Sequence, residues 1–253
     1  VLYAAARALQ SFPDRVPMLA IVAAHVLPAV AFAFLHGRAR YGMRGILVFF
    51  GICLVVGNFF ENLSIATGFP FGHYHFTEAM GPKVLQVPVL LGLAYIGIGY
   101  VSWTLAGIIL GAASPPALAT VAAFLMVAWD LATEPVWSTI AGGWTWHDGG
   151  PYFGVPVTNF LGWFLTVWII YALFAFYLGR RKTPAIYPKP AIAIYAVAAA
   201  GNLLIFPRTG LKVVTDGAGA AWHVTDILGA SAVVSIFGMG ALAAIAWLRS
   251  LHS

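Results

Sequence analysis

Glu61-Asn62-Leu63-Ser64-Ile65-Ala66-Thr67-Gly68-Phe69-Pro70-Phe71-Gly72-His73-Tyr74-His75-Phe76 begins inside a hydrophobic span and leaves it through a Gly/Pro turn that carries aromatics and two histidines. A carboxylate and an amide at that depth are costly against lipid, so they must face protein or a polar cavity, and an ionisable residue there marks a functional site by default. The stretch therefore says that the chain crosses a membrane here and that Glu61 looks inward.

Composition extends this to the whole chain. Of 253 residues, 61% are hydrophobic and 8% charged, against about 25% charged in soluble domains. The expected fold is all-α, a polytopic membrane protein with about seven transmembrane helices in one bundle. Residues 1–253 form one transmembrane helical domain, with residues 1–16 as an interfacial lead-in holding Arg7, Asp14 and Arg15 and lacking the apolar core of a signal peptide. The net charge of +5 sits in short loops rather than on one basic face, so no nucleic acid partner is expected. The single cysteine, Cys53, lies within a span and excludes an internal disulfide.

Spans are expected near residues 17–35, 45–66, 87–110, 117–137, 156–178, 191–206 and 225–248, the sixth short and broken or tilted at Gly201-Asn202. The turns on one side, with the C-terminus, hold Arg38, Arg40, Arg44, Arg180, Arg181, Lys182, Lys189 and Arg249; the other side holds Arg7, Arg15, Lys83, Arg208 and Lys212. The positive-inside rule then places the N-terminus outside and the C-terminus in the cytoplasm of a plasma (inner) membrane.

Two spans carry polar residues on one helix face: Asn58, Glu61 and Asn62 at i, i+3 and i+4, and Asp130, Thr133, Glu134 and Trp137 at i, i+3, i+4 and i+7. These spans run in the same direction, and the last span runs oppositely with Asp226 in its first turn. All four carboxyls and both long aromatic loops are thus expected at one membrane face, with Glu61 about 8 Å and Asp130 about 11 Å below it at 1.5 Å per residue. The two loops share a weak internal repeat, each ending in Val-Pro-Val (Val87-Pro88-Val89 and Val155-Pro156-Val157).

A carboxyl withdrawn from water favours its neutral form, and a neighbouring like charge adds to that preference. At least one of Glu61, Asp130, Glu134 and Asp226 is therefore expected to hold a proton and serve as a general acid. Phe71, Tyr74, Trp129, Trp137, Tyr152 and Trp163 surround them, and aromatic faces stabilise a cation. A buried acid with an aromatic wall suits protonation of an alkene in a long apolar molecule. The plainer alternative is that such acids pair with Asn or Trp and hold helices together. His73 and His75, taken alone, read as an interfacial hydrogen-bonding pair rather than a metal site, and no metal is expected. Asn62 and Asn159 orient a water or bridge helices.

The run from Glu61 to Phe76, with Trp129-Asp130-Leu131-Ala132-Thr133-Glu134-Pro135 and Gly150-Pro151-Tyr152-Phe153-Gly154-Val155-Pro156, resembles the membrane carotenoid-biosynthesis family that contains the carotenoid 1,2-hydratases. The resemblance implies cofactor-free addition of water across the terminal C1–C2 double bond of a long acyclic carotenoid. It implies Glu61, Asp130 and Glu134 as the acid/base set; Asp226 joins them by topology alone. Asp130 is favoured as proton donor, and Glu61 with Asn62 as the group that positions or deprotonates water. Phe71, His73, Tyr74, His75, Trp129, Trp137, Tyr152, Asn159 and Trp163 are expected to bind substrate. Membrane lipid and other carotenoid-pathway enzymes are the remaining candidate partners.

A carotenoid end-group cyclase would make the same cation and close a ring, and a pigment-binding subunit or proton-coupled carrier would use the same acids without turnover. A retinal protein is excluded, because Lys83, Lys182, Lys189 and Lys212 all fall in loops. A di-iron oxidase needs a larger histidine set than seven scattered residues, including His25, His36 and His252, provide.

Overall fold

The computed structural model describes residues 2–10, 15–179, 187–204 and 212–251. Helix α1 spans Leu2–Leu9 and α2 spans Met18–Thr67. Then follow α3 (Val89–Leu110), α4 (Pro115–Ile140), α5 (Val157–Leu178), α6 (Lys189–Leu203) and α7 (Val224–Ser250). Among the described residues five helices, α2 to α5 and α7, are long and apolar enough to cross a membrane. This is an all-α, multi-pass membrane protein.

The 50-residue α2 is two arms rather than one rod. At Gly42 the backbone takes φ 71° and ψ 172°, outside the helical region, which glycine adopts without the Cβ penalty of other residues. Phe34 and Phe50 have ring centroids 6.4 Å apart, whereas sixteen residues of straight helix would separate them by about 24 Å. The chain therefore folds back at Gly42, and the arms 18–41 and 43–67 take the place of the first two expected spans. Helix α6 has 15 residues, fewer than the roughly 20 a crossing needs. The end of the sixth expected span, with Arg180, Arg181, Lys182, Arg208 and His252, lies outside the described residues.

Small residues bring the helices together, as expected where lipid removes most of the hydrophobic drive for association. A Cβ at Gly97 of α3 would stand 3.0 Å from the backbone of Ala29 and Val30 on the first arm. The main core lies between α2, α3, α4, α5 and α6 around Phe49, Tyr100, Leu125, Tyr171, Phe174 and Tyr195. Arg40 approaches Gly107, Arg249 Nε donates to the Ile109 carbonyl at 3.2 Å, and Lys189 sits 5.9 Å from the Trp247 ring. One end of the bundle thus holds Arg40, Lys189 and Arg249. Arg7 departs from the charge count, being 3% exposed among helices rather than in a loop.

The opposite end is capped by the two long loops. Strand β1 (Tyr74–Phe76) pairs antiparallel with β4 (Trp144–Trp146), matching Tyr74 with Trp146, His75 with Thr145 and Phe76 with Trp144. Between them β2 (Lys83–Val84) pairs with β3 (Val87–Pro88), so helix α3 starts at Val89, just after the proline. A third hairpin, β5 (Val213–Thr215) with β6 (Ala221–His223), leads into α7. Ser64 ties the first loop to α2, accepting from Phe71 N at 3.1 Å and donating to the Gly72 carbonyl at 2.9 Å.

The loop rests on α5 at Gly162, where an added Cβ would fall 2.7 Å from Phe71 and 2.9 Å from the Pro70 backbone. Gly162→Ala would gain up to about 1 kcal/mol in helix propensity but must displace that backbone, an overpacking cost of about 1–3 kcal/mol. The clash is expected to win. Thermal unfolding in detergent should show Tm lowered by a few degrees, and an unchanged or raised Tm would contradict this seating of the loop.

Candidate active site

Glu61 sits one turn beyond Gly57 on α2, and the ring of Tyr95 from α3 passes over that glycine at 3.1 Å from where a Cβ would stand. The hydroxyl of Tyr95 thereby reaches Glu61 Oε1 at 2.6 Å, and the hydroxyl of Tyr74 donates to Oε2. Both acceptor oxygens of this buried carboxyl are engaged. Tyr74 lies in the cap, and burial first, then the charge of Glu61, pushes its phenol well above the ordinary value, so it remains a donor.

Helix α4 supplies the other two acids, one turn apart on one face. Glu134 is 3% exposed and its Oε1 accepts from Trp144 Nε1 at 2.6 Å and from Trp146 Nε1 at 2.9 Å. Indole N–H groups only donate, so the cap strand β4 is bound to the carboxyl below it. Beyond Pro135 the helix widens into a π turn at Val136–Ile140, a distortion that is frequent at functional sites. Asp130 accepts one bond, from Asn159 Nδ2 of α5 at 2.9 Å, and interacts with Glu134 side chain to side chain.

Glu61, Asp130 and Glu134 line one cavity of about 140 Å³ whose remaining wall is mostly apolar. That is far above the roughly 10–15 Å³ a single water requires. Phe71, Tyr74, Trp129, Trp137, Asn159 and Trp163 line it as well. Trp163 stacks on Tyr95 with centroids 4.7 Å apart, and Trp129 meets Tyr195 edge-on at 5.4 Å.

Other expected site residues lie elsewhere. Alternation along β1 turns Tyr74 and Phe76 to the cavity and leaves His75 exposed. His73 pairs with Asp148 at 3.1 Å and His75 with His147 at 2.7 Å, on the outer side of the cap. Asn62, one residue round the helix from Glu61, donates to the Asn58 carbonyl and accepts from Gln86 N at 3.2 Å, bracing the first loop. Tyr152 donates to the Leu131 carbonyl at 2.9 Å, and burial, then Asp130, raise its phenol to about 12. Asp226 does not join the acids. In the first two turns of α7 the buried positions are Val224, Ile227, Leu228 and Ser231, which turns Asp226 outward, where it is exposed. The expected convergence of four carboxyls is corrected to three.

The structure also adds residues that the sequence left unassigned. Tyr95, Trp144 and Trp146 bond the acids directly. Tyr3 and Arg7 of α1 line the cavity beside His25 of the first arm, so residues 2–9 close the site rather than merely leading into the bundle. A faint signal existed in α1, where Tyr3 and Arg7 stand at i and i+4, on one face.

A family model described as carotenoid biosynthesis protein matches residues 16–218. Bisanhydrobacterioruberin hydratase of Haloarcula japonica is 30% identical over 125 residues, which cover 47% of this chain and 41% of that protein. The aligned part thus spans less than half of that relative. No solved structure shows a significant match. Residues 16–218 include all three cavity carboxyls and both cap strands, and on that match the chain belongs to the carotenoid biosynthesis protein family.

Proposed function

We propose that this protein is a carotenoid 1,2-hydratase, adding water to the terminal C1–C2 double bond of a long acyclic carotenoid. The observation that carries the proposal is the convergence of Glu61, Asp130 and Glu134 on one aromatic-walled cavity in a chain of a carotenoid biosynthesis family. The partial similarity to a carotenoid hydratase supports the same reaction.

Asp130 is assigned as the proton donor, because it accepts a single amide bond while Glu61 and Glu134 each accept two. Its contact with Glu134 is satisfied when a proton lies between the two carboxyls, since a protonated carboxyl donates and an ionised one only accepts. Transfer of that proton to C2 leaves a tertiary cation at C1. Glu61 and Glu134 supply negative charge beside it, and the cavity-lining Trp129, Trp137 and Trp163 supply aromatic faces. Water then bonds to C1 and gives up a proton, leaving a tertiary alcohol. Hydrogen and oxygen balance with no oxidant, reductant or cofactor.

The same proposal places the carotenoid end group among seven crossings in one bundle, counting both arms of α2 and α6 among them. It places the N-terminus outside and the basic end toward the cytoplasm of the plasma membrane, with lipid and neighbouring pathway enzymes as partners.

Expression in a lycopene-accumulating host tests the proposal. The expected extract contains carotenoid heavier by one water per processed end. An isomeric product would move the assignment to end-group cyclisation. Pigment that co-purifies unchanged over hours would move it to pigment binding.

A further inference from the structure

The cavity has a second polar side that the three carboxyls do not use. His25 is 9% exposed and Arg7 3% exposed, and both line the cavity. Nδ1 of His25 lies 2.6 Å from the Ile21 carbonyl oxygen, a bond that requires the proton on Nδ1. In that tautomer Nε2 is a bare acceptor, and among the described residues no group meets it. Arg7 gives Nη2 to the Ala198 carbonyl and to Asn202 Oδ1, while its Nε–H meets no described partner.

Arg7 Nε packs directly against Gly201 of α6, where an added Cβ would clash with it, so its N–H is turned toward that helix. Tyr3, one turn before Arg7 on the same face of α1, stands edge-on to the His25 ring at 6.2 Å, and Trp137 stands edge-on to that ring at 6.2 Å as well. A buried donor and a buried acceptor left unpaired each cost about 1–3 kcal/mol. A water donating to His25 Nε2 satisfies that acceptor.

We propose that His25 holds the nucleophilic water of the hydration and that its Nε2 takes the proton. The inference rests on the hydratase reading above. The π pair of the double bond forms the C2–H bond with the proton from Asp130, leaving C1 cationic. A lone pair of the water oxygen forms the C1–O bond, and the proton released from that oxygen passes to Nε2. Asp130 has then lost one proton and His25 gained one, and its return through the cavity resets the site. Glu61, with both oxygens already engaged, need not serve as the base.

The test follows hydration and isotope exchange together, using purified protein in detergent with an acyclic carotenoid in D2O buffer. His25→Asn keeps an amide where Nδ1 stood, so the bond to Ile21 survives, and it removes Nε2. Hydration is expected to fall about 100-fold or more, while recovered substrate continues to gain deuterium as the cation forms and reverses. That exchange reports a folded, acid-competent site. His25→Gln, whose amide accepts a hydrogen bond but takes no proton, is expected to remain as slow.

Hydration within tenfold of wild type in His25→Asn overturns the proposal. So does loss of exchange together with hydration, which marks a structural role, and so does recovery of hydration in His25→Gln. Wild-type protein that gives neither product nor exchange defeats the hydratase reading itself, and this inference with it.

Discussion

Asp130→Asn is expected to abolish hydration while leaving the protein folded. The substitution is nearly isosteric and keeps a carbonyl oxygen for the amide of Asn159, now 2.9 Å away. It removes the acidic proton and the capacity to share one with Glu134. Loss of a general acid lowers rates by about 10²–10⁴-fold, or roughly 3–5 kcal/mol of barrier at 1.36 kcal/mol per decade. The measurement is product mass from purified variant and wild type, with thermal unfolding run alongside. Near-normal turnover in a folded variant would remove Asp130 from the chemistry.

Glu61→Gln should have the next largest effect, for a different reason. Tyr95 and Tyr74 both donate to Glu61. A glutamine keeps an acceptor for one of them, and the other hydroxyl can turn and accept from the new amide. The packing around Gly57 is therefore preserved, and what disappears is the negative charge beside the developing cation. Removing one preorganised electrostatic contact of this kind costs about 10²–10³ in kcat. The loss should appear in kcat rather than KM, because the charge matters only once the cation forms. A variant with raised KM and normal kcat would show Glu61 binding ground-state substrate instead. If both Asp130→Asn and Glu61→Gln retained near-normal turnover, the acid cavity would not be the site of reaction.

The two variants probe groups that the sequence found by one device, helical periodicity. Asn58, Glu61 and Asn62 share a face, and so do Asp130, Glu134 and Trp137, because residues three and four apart always do. The same reasoning failed where a neighbouring element decides. Asn62 lies next to Glu61 in the chain yet braces a loop, since one step round the helix turns it from the cavity toward Gln86. Topology puts Asp226 in the first turn of α7, next to the β5–β6 hairpin, but α7 rotates it outward. Depth along a span can be counted from its ends, whereas rotation about the axis is fixed by packing against other helices.

The cap shows the same division. His73-Tyr74-His75-Phe76 could be recognised as an aromatic segment over the site. Only its pairing with β4 set Tyr74 and Phe76 inward and the histidines outward. That pairing also brings Trp144 and Trp146 onto Glu134 from a loop about ten residues downstream.

By itself the sequence determined the all-α membrane class, helices α3, α4, α5 and α7 to within a few residues, the helix faces that carry Glu61, Asp130 and Glu134, and the family resemblance. These are local properties, set by hydrophobic length, helical period and turn residues. The tertiary structure alone decided that Tyr95, Trp144 and Trp146 hold the acids. It also decided that Arg7 and His25 close the far wall of the cavity. Each of those depends on which side chains meet across helices distant in the chain, and contact of that kind is fixed by packing rather than by any period the sequence carries.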